Sequence, residues 1–202
     1  VCRAIFIFSI PALSDDYFRF LWDGHLTNMG INPFLALPSA LTQQNGIRGN
    51  EVMHFLYIHM NSRDYFSVYP TIMQGCFSLV TLLFPHSIKS PVIILHFIMM
   101  LADLGTIYFG LKILKFVNLP AKNILWYALN PLVIIELTGN LHFEALMIFF
   151  CAASIYFLLR NNAIASPLFL SLAIGTKLLP LLYILFFLKY IKKENRSVFV
   201  VS

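Results

Sequence analysis

Two adjacent carboxylates, Asp15 and Asp16, follow the first apolar run of the chain. A carboxylate at the edge of an apolar region can act as a general base toward a substrate hydroxyl, because partial desolvation raises its pKa toward the working range. Adjacent carboxylates also suit a hard divalent cation. No second group of ligands is evident, so no metal is assigned and no cofactor is expected. The simpler alternative is that both acids only favour the positive end of a helix dipole.

These acids stand out because the rest of the chain is strongly apolar. Of the 202 residues, 59% are hydrophobic and 11% are charged. In soluble domains about a quarter of the residues are charged. The low charged fraction and the high hydrophobic fraction therefore predict an all-α polytopic membrane protein. The net charge of +5 does not indicate nucleic-acid binding, because the basic residues are dispersed between apolar segments.

Apolar runs near the length of a membrane-spanning helix, about 20 residues, recur along the chain. They cover 92–111, 124–137, 142–159 and 163–188, with shorter runs at 1–13 and 69–84. The first run is predicted to be the tail of a truncated helix. We therefore expect 1–202 to form a single transmembrane domain, a fragment of a multi-pass protein. Its membrane would be the plasma membrane in a bacterium or the endoplasmic reticulum in a eukaryote.

The longest polar interval of the chain is 14–68. Its first part has the periodicity of an amphipathic helix, with Ser14 as the N-cap and Gly30 just beyond the end. We expect this helix to lie in the membrane interface, with its aromatic side in the lipid headgroups and its carboxylates facing water. The alternative is a plain surface helix with a solvated polar face.

Two topologies remain open. If every apolar run crosses the membrane once, the basic segment 112–122 falls on the same side as the long loop, against the positive-inside rule. If 69–84 is a re-entrant element and 163–188 breaks near Lys177, the conflict disappears. The second topology is favoured.

Several short motifs follow one another along most of the chain. Within the loop they are Ser14-Asp-Asp-Tyr-Phe-Arg19, Trp22-Asp-Gly24 and Gly30-Ile-Asn-Pro-Phe34. After the loop they are Tyr69-Pro70, Asp103, Asn130-Pro131, Gly139-Asn-Leu-His-Phe-Glu144, and Lys177 with Pro180. This ordered set resembles the GT-C class of glycosyltransferases. The likeness is greatest to polyprenyl-phosphate-dependent mannosyltransferases, including bacterial membrane mannosyltransferases and the enzyme that adds the first mannose of GPI anchors.

The chain departs from these families at two positions. The GPI-type enzymes have an Asp-x-Asp pattern where this chain has Ser14, Asp15 and Asp16, so the counterpart of each acid is ambiguous. The acid after His142 is Glu144, where the bacterial relatives often have Asp. Both changes keep a carboxylate but blur the residue assignments.

The resemblance implies a GT-C-like helical bundle in which 14–68 is an extracytoplasmic loop that carries the active site. It also implies a single-displacement, inverting mechanism. The enzyme would move a hexose, expected to be mannose, from a polyprenyl-phosphate donor to a hydroxyl of a glycan or glycolipid acceptor at the extracytoplasmic membrane surface. The catalytic candidates are Asp16 and Asp15. The substrate-binding candidates are Arg19, Asp23, Tyr69, Asn140, His142, Glu144 and Lys177.

Lys177 lies within an apolar run, where an unpaired ammonium costs at least about 3 kcal/mol. It is expected to pair with the donor phosphate, and the alternatives are snorkelling or an ion pair with Asp103. Arg19 either orients Asp16 and Asp23 or forms an interfacial ion pair that contributes little.

Asn140 is expected to cap a helix that starts near Leu141. The free backbone N–H groups at the start of this helix would then point at an anion. His142 and Glu144 would then project from the first turn of this helix. For Asn130-Pro131 we expect a kink or a break in the span.

Two other classes of function remain. A secondary transporter also has broken helices and intramembrane charges, but this chain shows no internal repeat and concentrates its acids in one loop. A non-catalytic membrane scaffold would tolerate both Asp16→Asn and Lys177→Ala. A nucleotide-sugar donor is disfavoured because the chain lacks a Gly-rich phosphate loop.

Overall fold

The computed structural model describes residues 2–44 and 46–184, and its regular elements in these ranges are all helical. The α-helices are α1 (Asp16–Asn28), α2 (Pro38–Leu41), α3 (Glu51–His59), α4 (Thr71–Leu83), α5 (Lys89–Phe116), α6 (Leu125–Ala128), α7 (Pro131–Val133), α8 (Glu144–Leu159) and α9 (Ala165–Thr176). Short 3-10 segments cover Cys2–Phe6, Ala121–Ile124 and Leu179–Tyr183, and a π-helix covers Ile134–Gly139. The all-α prediction is confirmed for the described part of the chain.

The C-terminal end of α1 follows its sequence signal. Gly30 has a φ of 76°, a backbone conformation that glycine adopts without steric cost. Its N–H donates to the Thr27 carbonyl at 3.0 Å, and the Ile31 N–H donates to the Leu26 carbonyl at 2.9 Å. The N-terminal prediction is off by one residue, because Asp15 is the N-cap and the Ser14 hydroxyl accepts from the Asp16 N–H at 3.3 Å.

The predicted position of α1 in the lipid headgroup region is wrong. Every residue from Tyr17 to Leu26 is buried within the protein, including Trp22 at 0% exposure. The polar face is buried too, since Arg19 is 2% exposed and Asp23 is 0% exposed. These two side chains find their partners inside the fold, so α1 has no polar face that needs water along most of its length.

Helix α1 runs in the same direction as α4 and packs closely on it. Gly24 permits the approach: a Cβ there would lie 2.7 Å from the Thr81 Oγ1 and closer still to the Phe77 carbonyl oxygen. One turn further on, the Asn28 side chain donates to the Ser78 carbonyl at 3.0 Å and to Thr81 at 2.9 Å. The starts of α1 and α4 therefore lie at the same end of the bundle.

Helix α5 contains the predicted run 92–111 and is, among the described residues, the one single helix long and apolar enough to cross a membrane. Its 28 residues correspond to about 42 Å at 1.5 Å per residue. The segment Pro131–Gly139 consists of α7 and the π-helix. Together with α8 it is also long and apolar enough to cross a membrane, but the two parts meet at an angle of 112°.

The other apolar runs have different outcomes. The run 124–137 is interrupted at Asn130-Pro131, as predicted, where the Asn130 side chain accepts from the Leu132 N–H at 3.0 Å. The run 163–188 breaks at Lys177, also as predicted, because that residue is extended with φ −148° and ψ 144°. Residues 185–188 lie outside the described residues.

Of the two shorter apolar runs, 69–84 forms an α-helix and 1–13 does not, within the described residues. Helix α4 covers most of 69–84 but has 13 residues, or about 20 Å, against a hydrocarbon core of about 30 Å. The predicted helix tail at 1–13 is wrong, because its regular part is the 3-10 segment Cys2–Phe6. The charged Arg3 in that segment reaches the buried carboxylate of Asp103.

Helices α8 and α9 form an antiparallel pair. The Ser154 hydroxyl donates to the Ser166 carbonyl at 2.7 Å, and the Phe157 and Phe169 rings stack with centroids 5.5 Å apart. The end of α9 reaches the start of α4, where a Cβ on Gly175 would lie 2.9 Å from Ile72. The end of α9 and the start of α8 therefore join the starts of α1 and α4 at one end of the bundle.

Candidate functional site

Four aromatic rings pack beneath this end of the bundle; we call Phe20, Tyr69, Phe77 and Phe143 the aromatic cluster. Phe20 stacks on Phe77 with centroids 4.6 Å apart, and Phe143 meets both rings edge to face at 5.6 and 5.3 Å. Tyr69 also meets both edge-on, at 5.0 and 5.6 Å. Because these residues lie within the first two turns of α1 and α4 or directly before α4 and α8, the cluster holds the first turns of the three helices in a fixed relation.

Above this cluster, Asp15 and Asp16 open α1. The Asp15 side chain is exposed and that of Asp16 is half-buried. Tyr69 is half-buried just before the start of α4; burial raises the pKa of its phenol, and the Asp16 charge raises it further. The phenol therefore stays protonated at neutral pH and can donate a hydrogen bond at this end of the bundle.

Arg19 and Asp23, one turn apart on α1, form a buried ion pair with 2.7 Å between Nε and Oδ1. The other carboxylate oxygen accepts from the Ser67 hydroxyl at 2.5 Å and from the Gln74 amide at 3.1 Å. We call these four residues the Asp23 network. The expected interfacial ion pair is not found, because both charged groups are buried in the protein, with partners for both Asp23 oxygens and for Nε and Nη1 of Arg19.

The Asp23 network also fixes the segment that leads to Tyr69. The Arg19 guanidinium donates to the Ser62 and Tyr65 carbonyls at 2.8 and 2.9 Å. Burial raises the pKa of Asp23 above its usual range, although the Arg19 charge and the hydrogen bonds from Ser67 and Gln74 act in the opposite direction. Asp23 is fully buried with both oxygens occupied, so its geometry is that of a positioning residue.

Lys177 pairs with Glu144 and thereby joins the end of α9 to the start of α8. The expected alternative partner, Asp103, is occupied elsewhere: it pairs with Arg3 and accepts from the Tyr127 hydroxyl at 2.6 Å. The Lys177 and Glu144 side chains are 39% and 35% exposed. An anion can therefore approach this ammonium from outside.

The structure places Asn140 and His142 differently from the expectation. Helix α8 begins at Glu144, not near Leu141, because Leu141 has a φ of 57° that interrupts a helix. Asn140 is buried at the end of the π-helix and does not cap α8. His142 lies with its Nδ1 3.3 Å from the Glu136 carboxylate.

Sequence reasoning missed some of these partners. Glu136 carried a signal, because an acid within an apolar run is a functional candidate by default. Ser67 and Gln74 carried none, since an ordinary polar residue gives no hint of a partner in another element. Within the described ranges, no three His, Cys, Asp or Glu side chains form a group that could hold a metal ion.

The structure thus gathers most of the predicted site residues at one end of the bundle. Asp15, Asp16 and Tyr69 lie at the starts of α1 and α4, and Glu144 and Lys177 lie where α8 and α9 meet. Arg19 and Asp23 lie beneath them in the core. The arrangement offers a half-buried carboxylate, a phenol donor and a partly exposed ammonium around one aromatic floor.

Comparison with known proteins gives one match. The family model described as "Alpha-(1->6)-mannopyranosyltransferase, N-terminal domain" matches residues 4–192, which confirms the mannosyltransferase resemblance of the sequence motifs. No curated protein and no solved structure matches the chain.

Proposed function

Because the chain belongs to the alpha-(1->6)-mannopyranosyltransferase family, we propose that it transfers mannose from a polyprenyl-phosphate donor to a hydroxyl of a glycan or glycolipid acceptor. The reaction takes place at the extracytoplasmic membrane surface, with Asp16 as the general base. The observation that carries this proposal is the convergence of Asp16, Tyr69 and Lys177 at one end of the helical bundle. Family membership favours this enzyme over a transporter or a scaffold.

Asp16 suits the role of base better than Asp15 does. Its side chain is half-buried, whereas that of Asp15 is exposed, so a substrate hydroxyl bound at this end of the bundle would meet Asp16 in a place partly closed to water. The protonated Tyr69 phenol at the same end can donate to the acceptor sugar and hold the reacting hydroxyl toward the carboxylate. Asp15 remains the second candidate.

Lys177 is the proposed partner of the donor phosphate. As the glycosidic bond breaks, negative charge grows on the leaving phosphate, and a fixed cation stabilises it. The ion pair with Glu144 keeps the ammonium in place and leaves part of it accessible. A phosphate oxygen can then share this ammonium with the Glu144 carboxylate.

An apolar cavity of about 280 Å³ supports a lipid-linked donor. On α8 it is lined by Met147, Cys151 and Ile155, each about one turn after the last, and Met147 is three residues after Glu144. Pro180, three residues after Lys177, also lines it. An isoprenoid chain whose phosphate meets Lys177 can place its first units in this cavity, where apolar surface is removed from water.

The test is sugar transfer in membranes that carry the full-length protein, with labelled polyprenyl-phosphate-mannose as the donor. We expect Asp16→Asn to lower kcat by about 100- to 10,000-fold, the usual contribution of a general base. Asp64→Asn is the matched control, because Asp64 is an exposed acid in the same loop. Full activity of Asp16→Asn with loss in Asp15→Asn would move the base by one residue. Transfer from a nucleotide sugar but not from the lipid would overturn the donor assignment.

A further inference from the structure

A second cavity lies on the other side of α1, against α3 and the turns before it. Its volume is about 650 Å³, within the range of about 300–1,000 Å³ that small-molecule sites occupy. Trp22 lies in its wall, six residues after Asp16, which is about 9 Å further along the helix axis at 1.5 Å per residue. The cavity is therefore separate from the Asp16 site but within reach of the same extended ligand.

The inner wall of this cavity is aromatic. The Trp22 and Tyr57 rings lie with centroids 6.0 Å apart and planes inclined at 44°. Trp22 is 0% exposed and supports this wall from behind, whereas Tyr57 is half-buried, so the accessible aromatic surface of the wall is that of Tyr57.

The outer wall is polar and carries both signs of charge. Gln43, Arg48, Glu51 and His54 all line the cavity and all are exposed. An acid and a guanidinium at one rim favour a neutral ligand with many donors and acceptors over an anion. An isoprenoid chain fits poorly here, because it would cover these polar groups without giving them hydrogen-bond partners.

We propose that this cavity is a second carbohydrate-binding site, which holds a sugar unit of the acceptor glycan remote from the reacting hydroxyl. A pyranose ring presents an apolar face to Tyr57 and its hydroxyls to the polar rim, the combination that the two walls offer. The inference rests on the proposed function for the identity of the ligand, since a mannosyltransferase acceptor is a chain of sugars. It adds a place for a part of the acceptor that does not react.

The first test is binding without transfer. Full-length protein in detergent is titrated with an α-1,6-linked mannotriose in the absence of any donor, and binding is followed by saturation-transfer difference NMR. We expect Gln43→Ala to weaken binding about fivefold, the weight of one hydrogen bond. The matched control is Gln44→Ala, which removes the same side chain from the next residue, outside the cavity wall.

A second pair of variants tests the aromatic wall. Tyr57→Leu removes the ring face and is expected to weaken mannotriose binding by about tenfold, whereas Tyr57→Phe keeps the ring and the binding. Thermal unfolding of both variants shows that each has folded. Equal binding by wild type, Gln43→Ala and Tyr57→Leu would overturn the site.

Kinetics then separate the two proposals. In the transfer assay, Gln43→Ala should raise the KM for the trisaccharide acceptor about fivefold, with kcat unchanged and no effect on a monosaccharide acceptor. If the wild type transfers mannose but Gln43→Ala and Gln44→Ala have the same KM for the trisaccharide acceptor, the second site is refuted and the proposed transferase activity is supported. If mannotriose binding depends on Gln43 but no mannose is transferred, the proposed function falls and the site stands.

Discussion

Phe20 and Phe143 pack edge to face, with ring centroids 5.6 Å apart and planes at 84°. Phe20 lies one turn after Asp16 on α1, and Phe143 immediately precedes Glu144 at the start of α8. This contact therefore connects the helix of the proposed base to the helix that holds the partner of Lys177. A shift of either ring moves both halves of the proposed site, so their relative position depends on core packing.

The close approach of α1 and α4 gives a sharp test of the fold. Gly24→Ala should destabilise the protein by about 1–3 kcal/mol, because its Cβ would clash with the Phe77 backbone carbonyl, which cannot swing away. The measurement is thermal unfolding in detergent. Gly75→Ala is the control on α4: nothing lies within 4 Å of its Cβ, so we expect no loss and a gain of up to about 1 kcal/mol. Equal stability of wild type and Gly24→Ala would contradict the packing described here.

The Asp23 network predicts a large penalty for a small change. Asp23→Asn leaves the Arg19 guanidinium buried beside a neutral amide, and breaking one partner of a buried pair costs about 3–5 kcal/mol. We expect a lower unfolding temperature and a smaller folded yield. The double variant Arg19→Met with Asp23→Leu removes both charges and should recover much of this loss. A double variant that is no more stable than Asp23→Asn would count against the ion pair.

His25 predicts a pH dependence of stability. Burial, with a smaller effect of the His86 charge, lowers the pKa of His25 below its usual value of 6.5. The unfolded chain therefore binds a proton more readily, and this contribution to stability is present above pH 6.5 and lost as the pH falls below it. Unfolding temperatures measured from pH 7.5 down to about 5 should fall less steeply for His25→Met than for wild type. His54→Met, at an exposed position, is the control, and its unfolding temperature should change with pH as that of the wild type does. If His25→Met also shows the wild-type pH dependence, His25 is not its source.

The Lys177–Glu144 pair predicts opposite effects on the donor. Lys177→Gln should raise the KM for polyprenyl-phosphate-mannose about 10- to 100-fold, because it removes a charged hydrogen bond to phosphate. Glu144→Gln should lower this KM several-fold, since the carboxylate no longer competes for the ammonium. Lys112→Gln, which changes an exposed lysine near the end of α5, is the control. Wild-type donor KM in Lys177→Gln would exclude Lys177 from the donor site.

Local signals in the sequence predicted the breaks in the fold. Gly30 and Asn130-Pro131 each end or interrupt a helix where expected, because the backbone preference of glycine and proline acts on neighbouring residues. The break at Lys177 was expected instead from the positive-inside rule, which favoured two short segments in that run. The start of α8 was missed, since no residue type announces the left-handed backbone of Leu141.

The burial of α1 could not be read from the chain. Its periodicity has a polar side, which normally indicates a face exposed to water. The groups that bond to this side in place of water come from positions far away in the sequence. Ser67 and Gln74 lie 44 and 51 residues after Asp23. Only the tertiary structure shows that they meet it, so the sequence favoured an interfacial helix.

The same separation has a consequence for biogenesis. Arg19 and Asp23 can pair within α1 as soon as that helix forms, but Gln74 is synthesised 51 residues after Asp23. Until then one hydrogen-bond partner of the Asp23 carboxylate is absent, so the buried surroundings of this charge are complete only after the first turn of α4 has been made.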